Sequence, residues 1–412
     1  MKSRLPLLVL AIFVPVCATR AEPPRLRDVG AQARIGHDSN PNGTDGTSAA
    51  VLGHEGTMTY AAGAGFALAW NDAAAADGID AKIAYAGEAV RFDRVSSENH
   101  ATHRFEAGVR LVAGGWKITG DGSSLFVDGE RDTLAVVPSA NANAVAVWRE
   151  RRRQWQHRLK LQGEADYGRL VVRLGARLLA YDYQTDVEAG KVAFANRSDA
   201  QVSADAGWRQ SERSLWLAGA RIGHQEQATV PLPGGDFEYS NDYLRLATGW
   251  EGKPLEGATV TFVAGPDFRR YSGAVDPAVF RDRDRVSLWL EGGFVSKIND
   301  SVTVSGKAVR TAWLSSTGKS AYIDTSAEIA TSWAASDALT FRVSAKAHRC
   351  DYYPAVRDDW ESFLGAGASY KISPRTTLTL DVLDHRAWND LDGVAERKFD
   401  RVVVNAGASM RF

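Results

Sequence analysis

Residues 339–348 fix the class of fold more tightly than any other feature of the chain. Leu339, Phe341, Val343, Ala345 and Ala347 alternate there with Thr340, Arg342, Ser344, Lys346 and His348. A period of two with one apolar face marks a strand whose two sides meet different surroundings. The pattern recurs. Phe105, Ala107, Val109 and Leu111 oppose Arg104, Glu106, Gly108 and Arg110. Leu170, Val172, Leu174, Ala176 and Leu178 oppose Arg169, Arg173 and Arg177, and Val202, Ala204, Ala206 and Trp208 oppose Ser203, Asp205 and Arg209. Such runs reach about 11–15 residues, where strands of soluble domains average about five or six and a tilted bilayer strand needs about 9–11. The apolar faces are also light, mixing Ala and Gly with Val and Leu, whereas the dry core of a soluble sandwich calls for bulkier side chains. The expected fold is all-β: a transmembrane, up-and-down antiparallel β-barrel.

Breaks in the alternation set the strand count. Tight polar turns fall at Asp166–Arg169, Gln210–Arg213, Gly252–Glu256, Ile298–Asp300, Ala335–Asp337 and Ser373–Arg375, with wider polar connections between them at Leu232–Phe237, Ser272–Asp282 and Asn389–Glu396. Short turns at one end and longer loops at the other are the plan of a membrane barrel. A repeat near 40 residues also fits a propeller blade, but a blade holds four short strands where two long ones are found here. The count is about 18 strands, with 16 as the smaller alternative. The segment 115–165 is least regular, and Gly120–Asn143 reads as a long loop or a further hairpin. Trp116, Trp208, Trp216, Trp250 and Trp333 stand near the tight turns, as an interfacial aromatic girdle would, and Tyr183, Tyr271, Tyr352 and Trp388 stand near the opposite ends.

Residues 1–21 read as a secretory signal peptide. Lys2 and Arg4 precede the apolar run Leu5–Ala18, which is shorter than the roughly 20 residues of a spanning helix, and Thr19-Arg20-Ala21 offers a cleavage site. Val14-Pro15-Val16 before Cys17 does not make a lipobox. Residues 22–412 then form a single barrel domain with one cysteine, Cys350, and so no internal disulfide. No later apolar run is long enough for a membrane helix. A net charge of −1 points to neither nucleic acid nor an acidic partner.

At the C-terminal end Val402, Val404, Ala406, Ala408, Met410 and Phe412 share one face. Asn405, Gly407, Met410 and Phe412 fill the polar, glycine, hydrophobic and final aromatic places of a pattern that resembles the assembly signal of bacterial outer-membrane β-barrel proteins. Near the start, Asp38-Ser39-Asn40-Pro41-Asn42-Gly43 resembles the opening strand and turn of porin-like barrel families, and reads equally as a plain turn. The resemblance implies an integral outer-membrane barrel with periplasmic N- and C-termini. It implies partners in the barrel-assembly machinery, outer-membrane lipid and lipopolysaccharide, and an oligomer such as the trimer common among porins of this size.

If the apolar face meets lipid, the alternate residues enclose the lumen. The expected pore-lining set is Arg104, Arg110, Arg158, Lys160, Arg169, Arg173, Arg177, Arg209, Arg221, Arg245, Arg269, Arg285, Arg342 and Lys346, with the carboxylates Glu106, Asp205 and Glu291. An excess of one sign along a pore concentrates the opposite ion, which suggests weak anion preference. Cross-strand pairing of these charges into a rigid wall is the competing expectation. The run Arg149, Arg151, Arg152, Arg153 falls at the loop end, facing lipopolysaccharide phosphate or simply water.

Catalytic and metal readings are poor. Of eight His only His100 and His103 are close, without Cys or carboxylates to complete a metal set, and His37-Asp38-Ser39 holds triad residue types whose side chains alternate faces. No cofactor, enzyme activity or nucleic-acid motif is expected. The expected function is passive diffusion of small polar or anionic solutes through an outer-membrane pore. The alternatives are an export barrel for polysaccharide or surface lipoprotein, and a closed structural or adhesion barrel.

Overall fold

The computed structural model describes residues 24–41, 55–71, 79–131, 149–184, 194–232, 235–272, 284–315, 321–353, 357–389 and 398–412. The signal-peptide reading of 1–21 lies outside them. Strands run in chain order as β1 (Arg25–Asp38), β2 (Thr57–Asn71), β3 (Ile79–Phe92), β4 (His100–Ala113), β5 (Trp116–Asp128), β6 (Gln154–Tyr167), β7 (Leu170–Tyr183), β8 (Arg197–Ser211) and β9 (Ser214–Gln227). Two short strands, β10 (Val230–Leu232) and β11 (Gly235–Phe237), form a hairpin within a connection. The wall resumes with β12 (Asn241–Gly252), β13 (Ala258–Tyr271), β14 (Asp284–Lys297), β15 (Val302–Leu314), β16 (Ala321–Ala334), β17 (Leu339–Tyr353), β18 (Arg357–Ser373), β19 (Thr376–Asn389) and β20 (Phe399–Arg411).

The long strands form one 18-stranded sheet in which each pairs antiparallel with the next, and β9 passes to β12. The sheet closes on itself where β1 meets β20, from Gly30 opposite Arg411 to Asp38 opposite Val403. Closure gives each long strand a neighbour on both sides, which limits the free backbone groups of an all-β wall in lipid, where no water is present to satisfy them. The larger of the two strand counts therefore holds. Tight connections such as Gly114–Gly115, both with positive φ, gather at the end of the barrel where β1 begins and β20 ends (the turn end). Longer connections gather at the other, the loop end.

Cross-strand partners share a face, so the register sorts every side chain. Phe66, Tyr85 and Phe105 follow one another across β2, β3 and β4 with ring centroids 5.9 and 5.2 Å apart. The same outward face carries Leu174, Val202, Ile222, Leu244, Phe268 and Val286, all large, apolar and exposed. At the turn end Trp208, Trp216 and Trp250 are direct partners across β8, β9 and β12, and Trp116 and Trp333 lie on the same outward face. At the loop end Trp360 and Trp388 face outward and stack at 6.2 Å. Tyr183 and Tyr271 depart from the girdle expectation. They lie on the face of Arg173 and Arg269, and both are buried inside.

Segment 120–143 is also corrected. Gly120–Asp128 belongs to β5 and is paired on both sides, so it is wall rather than loop. Residues 132–143 lie outside the described residues. One irregularity marks the seam: the register of β1 against β2 shifts between Arg27 and Gly30, and Asp28 takes φ 53°, the geometry of a bulge.

Candidate functional site: the barrel interior

Contacts between strands that are not neighbours can form only on the concave side, and they identify the interior directly. Arg34 on β1 reaches Glu88 on β3. Arg173 on β7 grips Glu251 on β12 through two bonds of 2.6 and 2.8 Å. The Arg221 guanidinium on β9 lies 4.9 Å from the ring centre of Trp289 on β14. Each of these residues occupies the face opposite to the exposed apolar side chains.

The turn-end half of the interior is roomy and charged. A cavity of 810 Å³ is lined by Lys160, Arg173, Arg177, Arg221 and Lys307 together with Asp205, Glu251, Glu291 and Glu328. Arg173 also binds Glu164 at 2.7 Å, and Arg221 binds Asp205 at 2.9 Å. Lys160 and Lys307 enter no ion pair among the described residues. A second cavity of 400 Å³ brings Glu106 and Arg158 together with Lys82 and Asp121, and a third of 370 Å³ holds Arg342, 3.8 Å from Asp381. Basic residues outnumber acidic ones on these inward faces, as alternation alone indicates.

The loop-end half is packed. Asp267 has no exposed surface and accepts from Arg245 Nε at 3.0 Å and from Arg269 Nε and Nη2 at 3.1 and 2.9 Å. Tyr243 lies under both guanidiniums, 4.4 and 4.7 Å from its ring centre, and donates to Asp199 at 2.7 Å. Arg285 stacks 3.7 Å from the ring centre of Tyr353 on β17, whose hydroxyl lies 2.6 Å from that of Tyr271. The loop ends of β15 and β16 cover this network from the lumen side. Gln225 Nε2 donates to the Ala312 carbonyl at 3.2 Å, Gln227 Nε2 to the Ser315 carbonyl at 2.6 Å, and Arg245 Nη2 to Thr311 Oγ1 at 2.9 Å, while Arg197 donates to the Leu314 carbonyl. Strands four places apart around the wall thus touch, and the bore is narrowed there.

The opposite side of the mouth is tied by the arginine run. Arg151 binds Glu98 at 3.1 Å and Asp38 at 3.3 Å, and Arg152, almost fully buried, also binds Glu98. Asp38 in turn takes two bonds from Arg401, at 2.9 and 2.6 Å, across the β1–β20 seam. Arg151 and Arg152 are thus turned inward onto carboxylates, which corrects the expectation that the run is solvated or facing lipid phosphate. Arg153 bonds Asp128 at 2.9 Å, and nothing is described for the Arg149 side chain.

The remaining expected residues divide. Arg104 and Arg110 share the interior face of β4 with Glu106, and Arg104 lies 3.7 Å from Glu106. Arg209 pairs with Asp166 at 2.6 Å at the turn-end rim, and Lys346 lies 5.2 Å from the Phe363 ring centre. Arg177 is 3.8 Å from Asp199. Arg169 departs from the set, because it sits in the two-residue turn Gly168–Arg169 and not on a strand. Arg197, Asp199, Gln225 and Gln227 were not expected. Arg197 and Asp199 continue the alternation of Ser203 and Asp205 and could have been found by extending it, whereas the neutral Gln225 and Gln227 carried no charge signal.

No family model matches the chain, and no curated protein matches it by sequence. Among solved structures it is similar to OccK2 (OpdF) of Pseudomonas aeruginosa in complex with glucuronate, at 12% identity over 93% of this chain and 98% of that one, with a TM-score of 0.44. The BenF-like porin from Pseudomonas fluorescens Pf-5 gives 10% identity, 93% and 98% coverage and a TM-score of 0.44. The outer membrane protein OpdK of Pseudomonas aeruginosa gives 11%, 94% and 99% coverage and 0.42.

Proposed function

We propose that the protein is an outer-membrane pore for passive diffusion of small hydrophilic solutes with a weak preference for anions. The observation that carries this reading is the closed wall with an apolar exterior and an interior cavity of 810 Å³ bearing two lysines, Lys160 and Lys307, that enter no ion pair among the described residues. A water-filled passage lined by excess positive charge holds anions at higher concentration than cations, because low-dielectric walls focus the field. Arg104, Arg110, Arg158, Arg342 and their neighbours on the interior face extend that lining. The turn end, holding both chain ends, faces the periplasm, and the loop end faces outward, so that the indoles of the turn end lie at the inner headgroup level. Asn405, Gly407, Met410 and Phe412 on β20 serve as the signal read by the barrel-assembly machinery.

A closed structural barrel is the competing reading, and the packed loop-end half favours it. Planar-bilayer recording of the purified protein separates the two. A pore gives stepwise conductance, and a KCl gradient gives a reversal potential on the anion-selective side. Absence of steps supports the closed barrel, and a cation-selective reversal potential removes the anion preference.

A further inference from the structure

The wall between β14 and β15 is joined over only part of its height. Leu290–Lys297 pair with Thr303–Arg310. Among the described residues, Arg285–Trp289 pair with β13 alone, and Thr311–Leu314 pair with β16 alone. Neither segment contains the Pro or Gly that would forbid or weaken further pairing. The register, continued past Leu290 and Arg310, would set Leu288 against Ala312 and Val286 against Leu314. Those four residues would then share the outward face, with Ile323 of β16 beside Ala312. All are apolar, which is the pattern of a wall that meets lipid.

The structure shows the tip elsewhere. Ala312, Leu314, Ala321 and Ile323 are 2%, 1%, 0% and 5% exposed, packed in one cluster with the inward-facing Tyr271. The tip has a lipid-facing sequence and a lumenal position. We propose that the loop ends of β15 and β16 form a two-position gate. In the inward position, seen here, Arg197, Gln225, Gln227 and Arg245 hold it against the inner wall and the bore is narrow. In the outward position it zips onto the β14 edge that has no strand partner among the described residues, completes the wall and clears the bore. Arg310, at the last shared rung and held to Thr325 Oγ1 at 2.7 Å, is the hinge. Each position gives the tip polar partners and apolar cover from a different set, side chains of the inner wall in one and the β14 edge in the other, which is the requirement for a bistable element. The gate rests on the pore reading for its purpose but not for its geometry.

A disulfide tests it. Leu288 faces outward while Ala312 is buried against the inner wall, and in the outward position the continued register sets them directly opposite, within the roughly 7 Å Cα separation a bridge allows. In a Cys350→Ser background, Leu288→Cys/Ala312→Cys is expected to form an intramolecular, reducible bridge in the membrane. Oxidation should then raise single-channel conductance at least about twofold by clearing the bore. Adding Arg197→Ala and Gln227→Ala should speed bridging, and heat-modifiable migration of each variant in gels establishes that it has folded. A folded double-cysteine protein that conducts but never bridges overturns the gate, as does a bridge that leaves conductance unchanged. A bridge in a protein that conducts in neither state supports the movement and overturns the pore reading instead.

Discussion

Asp267 has no exposed surface and accepts hydrogen bonds from two guanidiniums, and that arrangement sets its cost of loss. Two ions taken from water are stabilised only by their partners, and removing one partner leaves an uncompensated buried charge. Here the loss would leave Arg245 and Arg269, both nearly fully buried, facing each other across an empty site. Asp267→Ala is therefore expected to destabilise the barrel by about 3–5 kcal/mol, measured by urea unfolding in detergent or lipid. An unchanged midpoint would mean that water enters this half of the lumen. Arg151 and Arg152 teach a related lesson. A run of arginines in a loop looks solvated in sequence, because the carboxylates that receive it, Asp38 and Glu98, are distant in the chain.

The legibility of each strand depended on what its outward face carries. The stretch 339–348 has an unbroken apolar face and was readable at once. β5 was not, because its outward positions Gly120, Gly122 and Ser124 offer no apolar signal between Ile118 and Phe126. Tyr183 and Tyr271 stand near strand ends, as girdle residues do, but their parity puts them inside. β13 shows a further local constraint. A Cβ on Gly265 would stand 1.8 Å from the Leu246 carbonyl oxygen, so the backbones of β12 and β13 approach more closely there than a side chain permits. Gly265→Val is expected to cost about 1–3 kcal/mol through overpacking, read as a lowered temperature of the heat-modifiable transition. An unshifted transition would show that the two strands can part at no cost.

For the molecule as a whole, architecture was legible and the state of its bore was not. Strand count and topology follow from period two and the placing of turns, which are local properties. The inward fold of the β15–β16 tip depends on contacts between Gln225 and Ala312 and between Arg197 and Leu314, pairs with no local signature. Interior charge acts collectively, so its test belongs at this scale. Lys160→Glu/Lys307→Glu should carry the reversal potential in a KCl gradient from the anion-selective to the cation-selective side. The difference should fade near 1 M salt, where the Debye length is about 3 Å. Persistence of anion selectivity in the double variant would place the selective charges elsewhere.

The seam between β1 and β20 also constrains how such a chain can change. Successive strands run in opposite directions and the ring still meets itself antiparallel, a match that only an even tally of strands provides. Excising one strand would bring two of the same direction side by side at the cut, whereas excising a neighbouring pair would leave a smaller ring of the same kind. Deletions or duplications that this protein survives should accordingly come in hairpins.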